Sequence, residues 1–222
     1  LPPAHRQLVN RRVAAAGGQT AGHLVGGLAG TSAADRRLWT DMISRRVNSP
    51  PACGLGRLFD AVACLAGLCA SSSFEGQAAM ALEYAADAQT PDDRYPLPLS
   101  GGDPAVADWE PMIRRIVADL RDGVPVGVVA ASFHAALGTF AVEAARRAAL
   151  PRVVLSGGCF QNALLVDLVR SRVEDAGFQV FENRLVPAND GGLALGQILA
   201  ASVRARTSPS VQETSNVSGR SG

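Results

Sequence analysis

The residues best suited to chemistry lie in two glycine turns. Ser156-Gly157-Gly158 follows the strand-like run Val153-Val154-Leu155 and leads through Cys159-Phe160-Gln161-Asn162 into an apolar helical pattern. Adjacent glycines let backbone N–H groups approach an anion, and a following helix N-terminus adds partial positive charge, so this segment suits a phosphate cradle. The same residues also suit a plain strand-to-helix turn. Asn189-Asp190-Gly191-Gly192 is the second turn, at the start of the last helical pattern. The Asp190 carboxylate can cap that helix, its commoner use at such a spacing, or hold a hard cation beside a phosphate. Together the two turns point to a nucleotide-phosphate and metal site.

Four further residues carry two readings each. Asn162 can reach a bound ligand with its amide, or start the helix that follows. Asp60 stands in the apolar string Phe59-Asp60-Ala61-Val62, where it is either a solvated charge or a partly buried carboxylate that accepts ribose hydroxyls. His134 is a lone helical histidine, best read as a satisfied core or surface residue. Cys159 follows the glycine pair, where a helix N-terminus can lower a thiol pKa, but no histidine base is near in sequence and packing is the favoured role.

The elements that position these residues are legible as patterns. Residues 153–155 read as a strand, 163–176 as a helix closed by Gly177, 178–181 as a second strand and 193–204 as the final helix, a parallel or mixed sheet covered by helices. Upstream, helices are expected over 4–16, over 33–47 with Leu38, Met42 and Ile43 on one side, over 55–66, and over 74–87 with Glu75 in the first turn. Residues 88–107 read as a surface loop and Asp108 as the cap of a helix reaching Leu120. Residues 125–149 read as one long helix, with a strand over 126–130 as the competing reading. The Ser-rich end, 207–222, is expected to be disordered.

The bulk composition sets limits. The chain has 222 residues, 47% apolar and 18% charged, with a formal net charge of +1, which calls for neither nucleic acid nor an anionic membrane. No run reaches the ~20 apolar residues of a membrane span. The four cysteines, Cys53, Cys64, Cys69 and Cys159, lack zinc-ligand spacing and read as reduced thiols of a cytoplasmic protein.

Five strings in order carry a family resemblance: Gly56-Arg57-Leu58-Phe59-Asp60-Ala61-Val62-Ala63, Phe74-Glu75-Gly76-Gln77-Ala78-Ala79, Ser132-Phe133-His134, Leu155 to Asn162, and Pro187 through Gln197. From about Pro50 to Ala201 the chain resembles the C-terminal part of the hydrogenase maturation carbamoyltransferases of the HypF family. The resemblance implies a helix-rich half of an α/β domain of the actin/Hsp70/sugar-kinase type, similar to the tRNA threonylcarbamoyltransferases. It divides the chain into a helical lead-in (1–50), the second half of the transferase domain (50–206) and a tail (207–222).

The resemblance also implies a reaction. Carbamoyl-adenylate, derived from ATP and carbamoyl phosphate, gives its carbamoyl group to the C-terminal cysteine of the partner HypE on the way to hydrogenase cyanide ligands. It implies Ser156, Gly157 and Gly158 as the phosphate loop, Gly56, Asp60 and Asn162 as nucleoside contacts, and Asp190 as ligand to a divalent cation (Zn, Mg or Fe). That cation would neutralise phosphate charge and polarise the carbamoyl carbonyl. The family's His-His-His-Ala-His motif has no counterpart in this sequence, and Cys53-Gly54-Leu55 stands where the family has serines. The chain therefore reads as a fragment, the nucleotide-binding half of a carbamoyltransferase, expected to cover its exposed face by forming a homo-oligomer. A catalytically incomplete docking or self-association module, favoured by the missing histidines, is one alternative; an O-carbamoyltransferase-like relative, disfavoured by the Phe-Glu-Gly-Gln-Ala-Ala and Ser-Phe-His strings, is the other.

Overall fold

A computed structural model describes residues 32–87 and 89–207. The expected helix over 4–16 and the tail beyond residue 207 lie outside the described residues. The helices are α1 (Ala33–Ser44), α2 (Leu55–Leu65), α3 (Gln77–Ala86), α4 (Glu110–Arg121), α5 (Val126–Ala148), α6 (Ala163–Asp175) and α7 (Leu193–Thr207). Two strands, β1 (Arg152–Leu155) and β2 (Gln179–Glu182), flank α6 in sequence. They pair in parallel, with Val153 opposite Val180 and Val154 opposite Phe181. The expected mixed sheet is, among the described residues, this parallel pair.

α5 is the centre of the core. Val129 through Gly138 are buried without interruption, because α3, α4 and α6 pack around it. A helix apolar on all sides is the pattern of a fully enclosed element. By length and composition α5 could also cross a membrane, so one run does approach the span excluded from sequence, but most of it is buried inside the protein. The competing strand over 126–130 is not formed.

Three boundaries differ from the sequence reading. α3 begins at Gln77, not Phe74, because Gly76 takes a left-handed conformation (φ 81°) and breaks the path; Glu75 lies in the preceding turn. Asp108 does not cap α4: the N-cap is Trp109, and Asp108 Oδ1 accepts the Glu110 N–H at 3.1 Å. α1 ends at Ser44 and buries none of its residues. It starts with a reciprocal Ser32–Asp35 capping box.

The supposed surface loop is anchored inside. Tyr95 and Leu97 are buried. The Tyr95 hydroxyl donates to buried Asp119 of α4 at 3.0 Å, and Arg115 pairs with the same carboxylate at 3.0 Å. Ser132 Oγ of α5 donates to Asp92 at 2.7 Å, and Arg94 grips Asp92 through Nε and Nη2. These bonds hold the Asp92 carboxyl down at about 2, with Arg94 as the main cause. The segment reads as loop because its partners lie far away in sequence and it has no period of its own.

Candidate functional site

β1 ends at Leu155, and the chain turns at Gly157, whose φ of 104° favours glycine. The Gly157 N–H donates to Ala188 C=O at 2.8 Å, and Asn189 Nδ2 donates to Gln161 Oε1 at 3.2 Å. These two bonds join the glycine turns side by side. The second turn is tight for a further reason: a Cβ at Gly192 would lie 2.8 Å from Pro187 O and 2.9 Å from Val186 Cγ1. The juncture therefore brings Gly157, Gly158 and Asp190 into one local surface.

The donors on that surface are not those the sequence suggests. The first-turn amides of α6 are already occupied. Ala163 N–H donates to Glu83 Oε1 at 2.7 Å, Leu164 N–H reaches the same oxygen at 3.4 Å, and Leu165 N–H donates to Asn162 Oδ1 at 2.8 Å. A carboxylate of this chain thus holds the helix N-terminus where an anion would bind. The Gly158 and Cys159 amides, at the start of the short 3-10 turn Gly158–Gln161, have no acceptor among the described residues. A Cβ at Gly158 would meet only Gln161 Nε2, at 3.8 Å, so this position opens outward. Glu83 is the residue the sequence reading missed, and its signal was its place as the sole charge in α3.

Asn162 resolves to the helix-starting alternative. It is the N-cap of α6 and 6% exposed, and its Nδ2 lies 2.9 Å from His134 Nε2. A direct nucleoside contact does not suit an amide so enclosed. His134 is fully buried, with Nδ1 2.8 Å from Ala130 C=O. Burial pushes its pKa down to about 4, so the ring is neutral. Ser132-Phe133-His134 acts as a unit: Ser132 anchors the Asp92 segment, Phe133 packs edge-on against Phe59 at 5.0 Å, and His134 meets Asn162.

The remaining candidates separate. Asp190 is exposed, in the 3-10 turn Asp190–Gly192, and its carboxylate has no partner among the described residues. It is not the cap; Asn189 Oδ1 accepts the Gly191 N–H at 3.0 Å in that role. Asp60 is paired with Arg57 at 2.8 Å on α2, and Gly56 one turn earlier faces open space. α2 reaches the loop indirectly, through Phe59 packed on His134 at 5.5 Å. Ser156 is exposed beside the turn. Cys159 is partly buried and burial raises its thiol pKa, opposite to an activated nucleophile. No group of three or more His, Cys, Asp or Glu that could hold a metal ion exists among the described residues. Asp190 alone does not make a metal site.

Taken together, the helix-rich body, the small parallel sheet and the joined glycine turns define a partial α/β domain. A family model described as "Carbamoyltransferase, Kae1-like Domain, second subdomain" matches residues 8–197. The chain is 40% identical over 178 residues to carbamoyltransferase HypF of Rhodobacter capsulatus, covering 78% of this chain and 22% of that protein. It is 36% identical over 166 residues to HypF of Synechocystis, covering 74% and 21%. The crystal structure of full-length HypF in its phosphate- and nucleotide-bound form matches with a TM-score of 0.75 at 29% identity, over 94% of this chain and 28% of that one. The chain belongs to the HypF carbamoyltransferase family, and it spans about a fifth of the length of these curated relatives.

Proposed function

We propose that this chain forms the phosphate-facing lobe of a carbamoyltransferase domain that handles carbamoyl-adenylate and passes the carbamoyl group to the C-terminal cysteine of HypE. The observation that carries the reading is the hydrogen-bonded juncture of the two glycine turns, which sets the turn of the free Gly158 and Cys159 amides beside the turn that carries Asp190. A related HypF solved with phosphate and nucleotide bound supports it. In the transfer, the partner's thiolate attacks the carbamoyl carbon, an S–C bond forms, the C–O bond to the adenylate phosphate breaks, and AMP leaves. The role of this lobe is to hold the phosphate as it gains charge, through backbone amides fixed in advance. Gly56 and Asp60 on α2 are the proposed nucleoside side of the site.

Asp190 is proposed as one oxygen ligand of a divalent cation, Zn, Mg or Fe. The described residues do not complete that ligand set, and no step of the transfer is drawn through it. The direct test is calorimetric titration of AMP with Mg²⁺ into the chain and its Gly158→Val and Asp190→Ala variants. A Cβ at 158 meets no backbone within 4 Å, so the added side chain starts into open space. Loss of binding in both variants is expected; variants that bind like the parent overturn the assignment.

A second reading rests on a separate observation. Val154 and Phe181, paired in register on one face of the sheet, are exposed, as are Leu193, Leu195, Ile198 and Leu199 of α7. Parallel sheets are normally covered on both faces, and exposed apolar patches mark interaction sites. In this reading the chain acts as a docking or self-association module, with a second copy covering the face. Pull-down with HypE followed by a carbamoylation assay separates docking from turnover.

A further inference from the structure

We propose that His134 is a positioning residue for the glycine loop: it holds the Asn162 amide in one orientation and, through it, the 3-10 turn that presents the Gly158 and Cys159 amides. The significance for ligand binding rests on the reading of that loop given above; the geometry does not.

Hydrogen-bonding chemistry leaves the imidazole one arrangement. Nδ1 lies 2.8 Å from Ala130 C=O, which can only accept, so Nδ1 carries the proton. Nε2 lies 2.9 Å from Asn162 Nδ2, which can only donate, so Nε2 is bare. Asn162 has no freedom to reverse, because its Oδ1 accepts the Leu165 N–H at 2.8 Å and a flip would set two donors face to face. The chain of bonds from Ala130 to Leu165 therefore has a single polarity with His134 at its middle. Phe59 and Phe133 pack edge-on against the ring, at 5.5 Å and 5.7 Å, and fix its plane.

Asn162 also closes the loop through its backbone. Its N–H donates to Cys159 C=O at 3.2 Å, and its C=O accepts the Val166 N–H at 3.1 Å. The residue joins the 3-10 turn to α6, so rotating its side chain off His134 loosens both ends of that joint. No side-chain nitrogen or oxygen in this buried chain is left without a partner among the described residues. A core histidine chosen for volume alone has no need of such a match.

The experiment uses the full chain, with two substitutions that divide the two ring nitrogens. His134→Gln reaches the Nε2 position and can still accept from Asn162. His134→Asn reaches only the Nδ1 position and can still donate to Ala130. Long-range ¹H–¹⁵N spectra of the parent are expected to show the Nδ1–H tautomer. Amide exchange at Leu165 is expected to stay protected in His134→Gln and to lose protection about tenfold in His134→Asn, the scale of one buried hydrogen bond. The Gly158 and Cys159 amide resonances should move only in the second variant. An Nε2–H tautomer in the parent overturns the proposal. So does equal disturbance of Leu165, Gly158 and Cys159 in both variants, the result for a residue that only fills the core. The tautomer needs no variant to fold. Adding inorganic phosphate to the parent tests the loop's ligand separately: if the loop amides ignore phosphate while the tautomer is Nδ1–H, the site reading falls and the positioning role stands.

Discussion

At single positions, the structure distinguishes glycines that shape the fold from those that leave room. Gly192→Ala places a methyl 2.8 Å from the Pro187 carbonyl, a backbone group that cannot step aside. Chemical denaturation should show a loss of about 1–3 kcal/mol, the range of overpacking. Gly56→Ala meets open space inside α2 and should stabilise by up to about 1 kcal/mol. If α2 also approaches the nucleoside, this variant gains stability while AMP affinity falls. His134 sets a pH signature. Its pKa is about 4 in the fold against an ordinary 6.5, so the unfolded chain binds the proton first as pH falls. Its contribution is full above pH 6.5 and is lost between pH 6.5 and 4, amounting to roughly 3 kcal/mol. Denaturation midpoints across that window should show the slope in the parent and a weaker one in His134→Gln.

At the scale of elements, the positions of α6 and the strands were legible because each carries its own signal. A strand run meets the glycine turn, a helical period follows, and Gly177, with φ 91°, ends it. The long α5 was legible from its proline start and alanine content. What stayed hidden were contacts between elements distant in sequence. Glu83 reaches Ala163 across a separation of 80 residues, and Ser132 reaches Asp92 across 40. A linear pattern holds no trace of either, which is why residues 92–97 read as surface and the α6 N-terminus read as open. Two consequences follow for α6 and the anchored segment. Glu83→Ala uncovers two first-turn amides and should cost about 1–2 kcal/mol, partly restored by added phosphate that takes the carboxylate's place; thermal melts with and without phosphate measure both effects. Ser132→Ala should free the segment around Tyr95 from α5, raising amide exchange at Tyr95 and Leu97 with a stability loss of about 1 kcal/mol.

At the scale of the whole molecule, the core and the candidate site lie in the part built around α5 and α6, while among the described residues α7 and one sheet face expose apolar side chains such as Ile198, Leu199, Val154 and Phe181. Family membership was legible because motif order survives even where contacts cannot be inferred. The exposed face followed only from the structure, since the pattern of α7 does not say what it packs against. Ile198→Glu on α7 should shift the chain toward monomer in light scattering if a second copy covers this face, and leave the mass unchanged if none does. The relatives are about five times longer than the matched region, so the same face is equally placed to meet the rest of a longer chain in those proteins. The proposed function is local: it requires that two sequence-distant glycine turns bind one anion together. Its most direct measurement is a phosphate and AMP titration followed through backbone amide resonances. The account predicts that Gly158, Cys159 and Asp190 shift together along one binding curve, with the α6 amides of Ala163 and Leu164 unmoved behind Glu83. Shifts confined to one turn, or centred on the α6 amides instead, contradict it.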